Sequence, residues 1–136
     1  MNAINMEYSH RCMVCLGSNS DAETHLSDAF KSLHERYHIV ECGDMVRTKA
    51  ENTIEGSDDY LNQVLTFETD EDAETVRSTL KRIEKEGGRT CLSKQTGVMP
   101  LDLDLLMFDG AVLKPDDMER DYVKSAMPHK YIKTTV

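Results

Sequence analysis

Hydrophobic positions along this chain recur first at strand spacing and then at helix spacing, and the pattern repeats. Arg11 to Leu16 is a short apolar run that reads as a strand. Gly17-Ser18-Asn19 follows as a turn. Ser20-x-x-Glu23 then has the form of a capping box opening a helix to about Tyr37, with Leu26, Ala29, Phe30 and Leu33 on one stripe. A second strand is predicted over about His38 to Thr48, a polar loop over Lys49 to Asp59, and a third strand over Tyr60 to Thr69. In the third strand Leu61, Gln63, Leu65 and Phe67 share one face, and Tyr60, Asn62, Val64 and Thr66 share the other. Asp70, Glu71 and Asp72 put favourable negative charge at the start of a second helix. Its buried stripe is Ala73, Val76, Leu80 and Ile83, and Gly87-Gly88 ends it. A last strand lies within Leu101 to Phe108, and Asp116 to Lys124 adds a short helix or turn. The order β-α-β-β-α-β predicts an α+β, ferredoxin-like sandwich in one domain, residues 1–136, with a mainly antiparallel sheet and its helices on one face.

The last strand carries the most telling chemistry. In Leu101-Asp102-Leu103-Asp104-Leu105-Leu106-Met107-Phe108, period-two geometry puts Asp102 and Asp104 on one face and Leu101, Leu103, Leu105 and Met107 on the other. Two like charges side by side in a partly buried sheet raise each other's pKa unless a cation neutralises them. A hard divalent ion does so well. Magnesium commonly sits on one or two carboxylates plus substrate phosphates, so the pair points to phosphoryl-group chemistry. The plain alternative is an edge strand whose aspartates face solvent.

Composition narrows the field. The 136 residues suffice for one real core, and 39% apolar with 30% charged residues is the balance of a globular domain. A formal charge of -9 and a pI near 4.9 disfavour general attraction to nucleic acid or to an anionic membrane, which needs clustered Lys and Arg. The sequence shows no apolar run of about 18 residues, and its start lacks the basic and hydrophobic regions of a signal peptide. Those features predict a cytoplasmic protein with no membrane partner. Oligomeric state is left open.

Cys12 and Cys15 spell C-x-x-C, yet on a strand a three-residue offset sends the sulfurs to opposite faces, and no second Cys/His pair follows at zinc-finger spacing. Ordinary thiols are expected there and at Cys42 and Cys91. Gly17-Ser18-Asn19 could offer backbone amides to an anion but lacks the lysine and spacing of a Walker loop, so any ATP use proceeds without a P-loop.

Leu16-Gly17-Ser18-Asn19, Arg47-Thr48, Asp59-Tyr60-Leu61-Asn62, Arg82-Ile83-Glu84-x-x-Gly87-Gly88-Arg89, Leu101-Asp102-Leu103-Asp104 and Pro128-His129 occur in one order. Together they resemble the hydroxymethyl-dihydropterin pyrophosphokinase family of folate biosynthesis, from about Met13 to His129. The resemblance implies transfer of pyrophosphate from ATP to 6-hydroxymethyl-7,8-dihydropterin, with ATP and the pterin alcohol as ligands. It implies that Asp102 and Asp104 hold two Mg²⁺ ions, with Arg89 beside them in catalysis. It further implies pterin contacts from Thr48, Tyr60 and Asn62, and nucleotide contacts from Glu84, Arg89 and His129. Taken singly, Tyr60 is equally a sheet-face aromatic, Glu84 and Arg89 a solvated helix end, and His129 a loop residue.

The departures from the family pattern fall on the chemistry. Family members usually carry an arginine-rich loop ending in Arg-Thr just before Leu-Asp-Leu-Asp; here that place is Met99-Pro100. Other expected loop arginines and a tryptophan align with Cys91, Gln95 and Thr96, which leaves Arg89 as the only guanidinium between Gly88 and Asp102. Lys49-Ala50-Glu51 replaces a proline-rich turn, and the sequence reaches Val136 without the expected Arg-x-Phe, with Tyr131 off its spacing. Two functions are therefore expected: an enzyme of this type, or a catalytically weak or inactive relative that binds pterin and nucleotide as a regulatory module. An RNA-binding ferredoxin-like module fits poorly, because paired sheet aromatics and a basic surface are missing.

Overall fold

The computed structural model describes residues 8–48 and 59–118, with the side chains of Lys94 and Asp117 left aside. Its elements are β1 (His10–Ser18), α1 (Ala22–Arg36), β2 (His38–Cys42), β3 (Val46–Thr48), β4 (Tyr60–Thr69), α2 (Ala73–Glu86), α3 (Ser93–Thr96), β5 (Asp102–Phe108), β6 (Ala111–Val112) and α4 (Pro115–Met118). The sheet runs β2-β4-β1-β5-β6 with β3 also on β4, and every pairing is antiparallel. This is the expected ferredoxin-like α+β arrangement. Among the described residues no helix is long and apolar enough to cross a membrane.

The apolar stripes predicted for the two helices do bury. Leu26, Ala29 and Leu33 of α1 and Val76, Leu80 and Ile83 of α2 pack on Val14, Leu16, Leu65, Phe67 and Leu103, forming the main core on one face of the sheet. A smaller cluster, Met13, Cys15, Val64 and Leu106, lies on the other face, called here the open face. Cys12 belongs to the first cluster and Cys15 to the second, so the C-x-x-C sulfurs are separated by the sheet. All four cysteines are free.

Asp72 caps α2 as its charge pattern suggests, its side chain accepting from the Thr75 amide at 2.8 Å. At the other end Gly88 takes a left-handed φ of 100°, which turns the chain back so that the Arg89 amide reaches the Glu84 carbonyl at 3.1 Å.

Four expectations need correcting. First, β1 continues through Gly17 and Ser18, which pair with Asn62 and Leu61; the turn begins only at Asn19. Second, the capping box does not form. The longer strand shifts the cap to Asp21, which adopts a left-handed φ of 45° and makes no side-chain cap bond, while Ser20 is engaged with Ser18. Third, the predicted second strand breaks at Gly43-Asp44-Met45. There the buried Gln63 side chain donates to the Gly43 carbonyl at 3.0 Å, and the Gly43 amide donates to the Val64 carbonyl. Fourth, the β1–β5 register slips so that Val14 faces Leu105 but Met13 faces Met107, leaving Leu106 as an extra residue. Beyond that bulge the faces exchange. Leu106 and Met107 join the open-face cluster and Phe108 packs with the main core, so Met107 is not on the face of Leu101, Leu103 and Leu105. The helix expected from Asp116 starts as α4, and its continuation lies outside the described residues.

Phe67 anchors this arrangement. It is fully buried and stacks on Tyr37 at 4.2 Å between ring centroids. Phe67→Ala should destabilise the fold by about 3–5 kcal/mol, the usual cost of deleting a buried aromatic, read as a lower denaturation midpoint with an unchanged slope. A midpoint within error of the native protein would show that the cluster does not carry the core.

Candidate active site

Three strands bring the sequence-predicted residues together on the open face. Gly17 of β1 pairs with Asn62 of β4 on one side and with Asp102 of β5 on the other. One step along, Cys15 stands between Val64 and Asp104. Strand spacing sets the distance between the Asn62 and Asp102 backbones at about 10 Å, two interstrand steps. Val46 of β3 pairs with Asn62 and extends the row beyond it, and Thr48 stands across from Tyr60.

The Asn62 side chain is held rather than loose. Its Nδ2 donates to Thr48 Oγ1 at 3.0 Å and to the Val46 carbonyl at 3.4 Å. Its Oδ1 consequently leans over Gly17, where an added Cβ would approach it to 3.3 Å and the Tyr60 ring to 3.9 Å. Gly17 needs no unusual φ. Its value lies in the missing side chain, which keeps the row between Asn62 and Asp102 clear. Tyr60 is half-buried; burial and then the nearby Asp102 charge push its phenol pKa up, with Arg89 opposing.

At the other end of the row lies a half-buried electrostatic cluster. β6 pairs with Met107 and Phe108, so among the described residues the Asp102–Asp104 segment of β5 has β1 on one side and no strand on the other. Glu84 closes that side. Its Oε2 accepts the Leu103 amide at 2.7 Å and the Arg89 Nη1 at 2.7 Å, and Arg89 Nη1 also reaches Asp102 Oδ1 at 2.9 Å. Burial pushes the Glu84 pKa up, with the Leu103 amide and Arg89 pulling against it. Burial works against the Arg89 charge too, but the Glu84 and Asp102 carboxylates outweigh it and the pKa rises. Glu84 and Arg89 are thus not a solvated helix end. They tie the last turn of α2 to the aspartate strand.

The loop between α2 and β5 is built around Asn19, a role that sequence spacing gives no hint of. Asn19 Nδ2 donates to the Gly97 carbonyl at 2.7 Å, Asn19 Oδ1 accepts the Met99 amide at 2.6 Å, and the Asn19 amide donates to the Met99 carbonyl at 3.0 Å. Met99, at a place where arginine was expected, is only 7% exposed. That position faces the interior. Cys91, Gln95 and Thr96 are exposed. His129 lies outside the described residues.

The donor set at β5 fits a hard cation. Asp102 and Asp104 project from one face with side chains 38% and 34% exposed, open enough to accept an ion while packed enough to be held. Among the described residues no three His, Cys, Asp or Glu side chains gather as a metal site. Two carboxylates cannot saturate Mg²⁺, whose further ligands would be phosphate oxygens and water.

The Glu84 contacts give a prediction. Glu84→Gln keeps the side-chain shape but removes the charge, and should cost about 1–3 kcal/mol of stability because the half-buried Arg89 loses one of its two carboxylate partners. Since the folded Glu84 pKa lies above its ordinary 4.5, this group adds most to stability below that value, and its contribution falls as pH rises through the folded pKa. Melts of the two proteins from pH 4 upward should therefore differ in slope. Superimposable curves would mean that Glu84 is not the buried ionisable link described.

A model of the 7,8-dihydro-6-hydroxymethylpterin-pyrophosphokinase (HPPK) family matches residues 13–135, which takes in β1 from Met13 onward and every later described element to α4. The activity of that family is transfer of pyrophosphate from ATP to hydroxymethyldihydropterin in folate synthesis. The match, the ferredoxin-like sheet and the aspartate pair on its open face agree, and the chain belongs to the HPPK family.

Proposed function

We propose that this chain itself transfers pyrophosphate from ATP to 6-hydroxymethyl-7,8-dihydropterin in a Mg²⁺-dependent reaction. The observation that carries this reading is the row Asn62–Gly17–Asp102, which offers a ring-recognition group and a phosphate-facing carboxylate across one bare glycine. Asp102 and Asp104 would hold two Mg²⁺ ions, which when bound neutralise the triphosphate and orient it. Tyr60 supplies a flat surface for the pterin ring, and Asn62, fixed by Thr48, keeps its carbonyl oxygen available to a ring N–H. Arg89, next to Asp102, is the guanidinium available to the phosphates, with Glu84 setting its position. The pterin hydroxyl then attacks the β-phosphorus and AMP leaves, a step that depends mainly on positioning and on charge already in place.

Met99 supports a second reading. A buried methionine where the family carries a phosphate-binding arginine removes transition-state stabilisation that one positioned donor typically supplies, about 2.7–4 kcal/mol. A relative that binds pterin and nucleotide but turns over slowly, acting as a regulatory module, fits that substitution.

Binding separates ligand recognition from turnover. Mg²⁺ with a non-transferable ATP analogue should raise the melting temperature of the native protein, and the double variant Asp102→Asn/Asp104→Asn should lose the shift. With the analogue present, calorimetry should show pterin alcohol binding that Asn62→Ala weakens by about tenfold, through the loss of a hydrogen bond to a buried polar edge. An undiminished thermal shift in the double variant would remove the aspartates from the site. Equal pterin affinity in Asn62→Ala would move the ring elsewhere.

A further inference from the structure

The aspartate pair has a second cation besides Arg89. β5 turns through Asp109 and Gly110, both at positive φ, into β6, where Val112 pairs with Met107 on the open face. Leu113 then packs against the main core, and its amide donates to the Leu106 carbonyl at 2.8 Å. Alternation returns the next residue, Lys114, to the open face, where its Nζ lies 3.9 Å from Asp104 Oδ1. The hairpin thus delivers an ammonium group to the second carboxylate just as α2 delivers Arg89 to the first.

The two cations are held differently. Arg89 makes contacts of 2.7 and 2.9 Å and its side chain is 22% exposed; Lys114 sits at 3.9 Å, beyond hydrogen-bond distance, and is 49% exposed. Among the described residues Asp104 is the one acid within ion-pair reach of Lys114. Among the described residues the cluster sets three negative groups, Glu84, Asp102 and Asp104, against two positive ones, Arg89 and Lys114. Of the two cations, Lys114 is the one that can turn toward a new anion at small cost, since half of its surface is already in water and its ion pair is loose.

Resting on the functional reading above, we propose that Lys114 is a phosphate-binding residue of this site, taking up part of the charge of the magnesium nucleotide where the loop's one arginine, Arg89, is already held by Glu84 and Asp102. Its ammonium group donates to a phosphate oxygen once Mg²⁺ takes over the neutralisation of Asp104. The contrasting role is neutralisation of Asp104 alone. These roles differ in sign for nucleotide affinity, because removing a mere competitor for Asp104 would strengthen magnesium binding and leave phosphate contacts intact.

Isothermal calorimetry on the full chain, with Mg²⁺ plus a non-transferable ATP analogue and with Mg²⁺ alone, separates them. Lys114→Met should bind the magnesium analogue about fivefold more weakly, the scale of one half-exposed charge-assisted contact, and Lys114→Arg should restore native affinity within about twofold. Mg²⁺ alone should bind Lys114→Met at least as well as native. Equal or tighter analogue binding by Lys114→Met would overturn the proposal and leave Lys114 a neutraliser of Asp104. A native protein that binds no magnesium analogue would overturn the functional reading itself, and this inference with it.

Discussion

β1 is hydrogen-bonded along both edges, to β4 on one side and β5 on the other, and the geometry of the candidate site depends on that double pairing. It puts Asn62, Gly17 and Asp102 in one row and Val64, Cys15 and Asp104 in the next, on the face that α1 and α2 do not cover. Strand spacing is nearly invariant, so the separation of Asn62 from Asp102 is set by backbone geometry rather than by side-chain packing. Gly17 matters for the same reason. In mid-strand a glycine costs roughly 0.5–1 kcal/mol relative to alanine, and here that cost keeps the centre of the row free of a side chain that Asn62 Oδ1 would meet at 3.3 Å.

A site that collects carboxylates must also be prevented from repelling itself. Glu84, Asp102 and Asp104 stand close together, and a single guanidinium bridges the first two. Glu84 does further service by receiving the Leu103 amide, which the short β6 does not reach. A buried carboxylate that satisfies an edge amide and a guanidinium at once is costly to place but hard to replace. The electrostatics of the pair therefore reach back into the fold through α2, whose last turn is held to β5 by these contacts.

Much of this was legible in the sequence where one principle dominates. Helix stripes, the period-two alternation of β4 and the shared face of Asp102 and Asp104 all follow from spacing, and each appears as expected. The errors arose where tertiary contacts override local signals. Ser20-x-x-Glu23 has the letters of a capping box, but pairing of Gly17 and Ser18 with β4 lengthens β1 and moves the cap to Asp21. The break at Gly43 depends on a Gln63 side chain twenty residues away in sequence, and the Leu106 bulge on a register set by Met13 and Val14. Asn19 stands in the Leu16-Gly17-Ser18-Asn19 motif, yet its hydrogen bonds to Gly97 and Met99 are invisible to any local pattern. The same bonds give the Met99-Pro100 departure a structural meaning, since they fix a residue whose side chain points inward.

On the proposed function, the aspartate face performs pyrophosphate transfer despite a loop with few cations. Phosphorus NMR of the full chain with ATP, Mg²⁺ and 6-hydroxymethyl-7,8-dihydropterin measures it directly, because pyrophosphate transfer consumes ATP and yields AMP and a diphosphate ester in equal amounts. The AMP and ester signals should grow equally, and that growth should be abolished when both Asp102 and Asp104 are changed to asparagine. ATP left intact over many hours, with both ligands bound, would contradict that function.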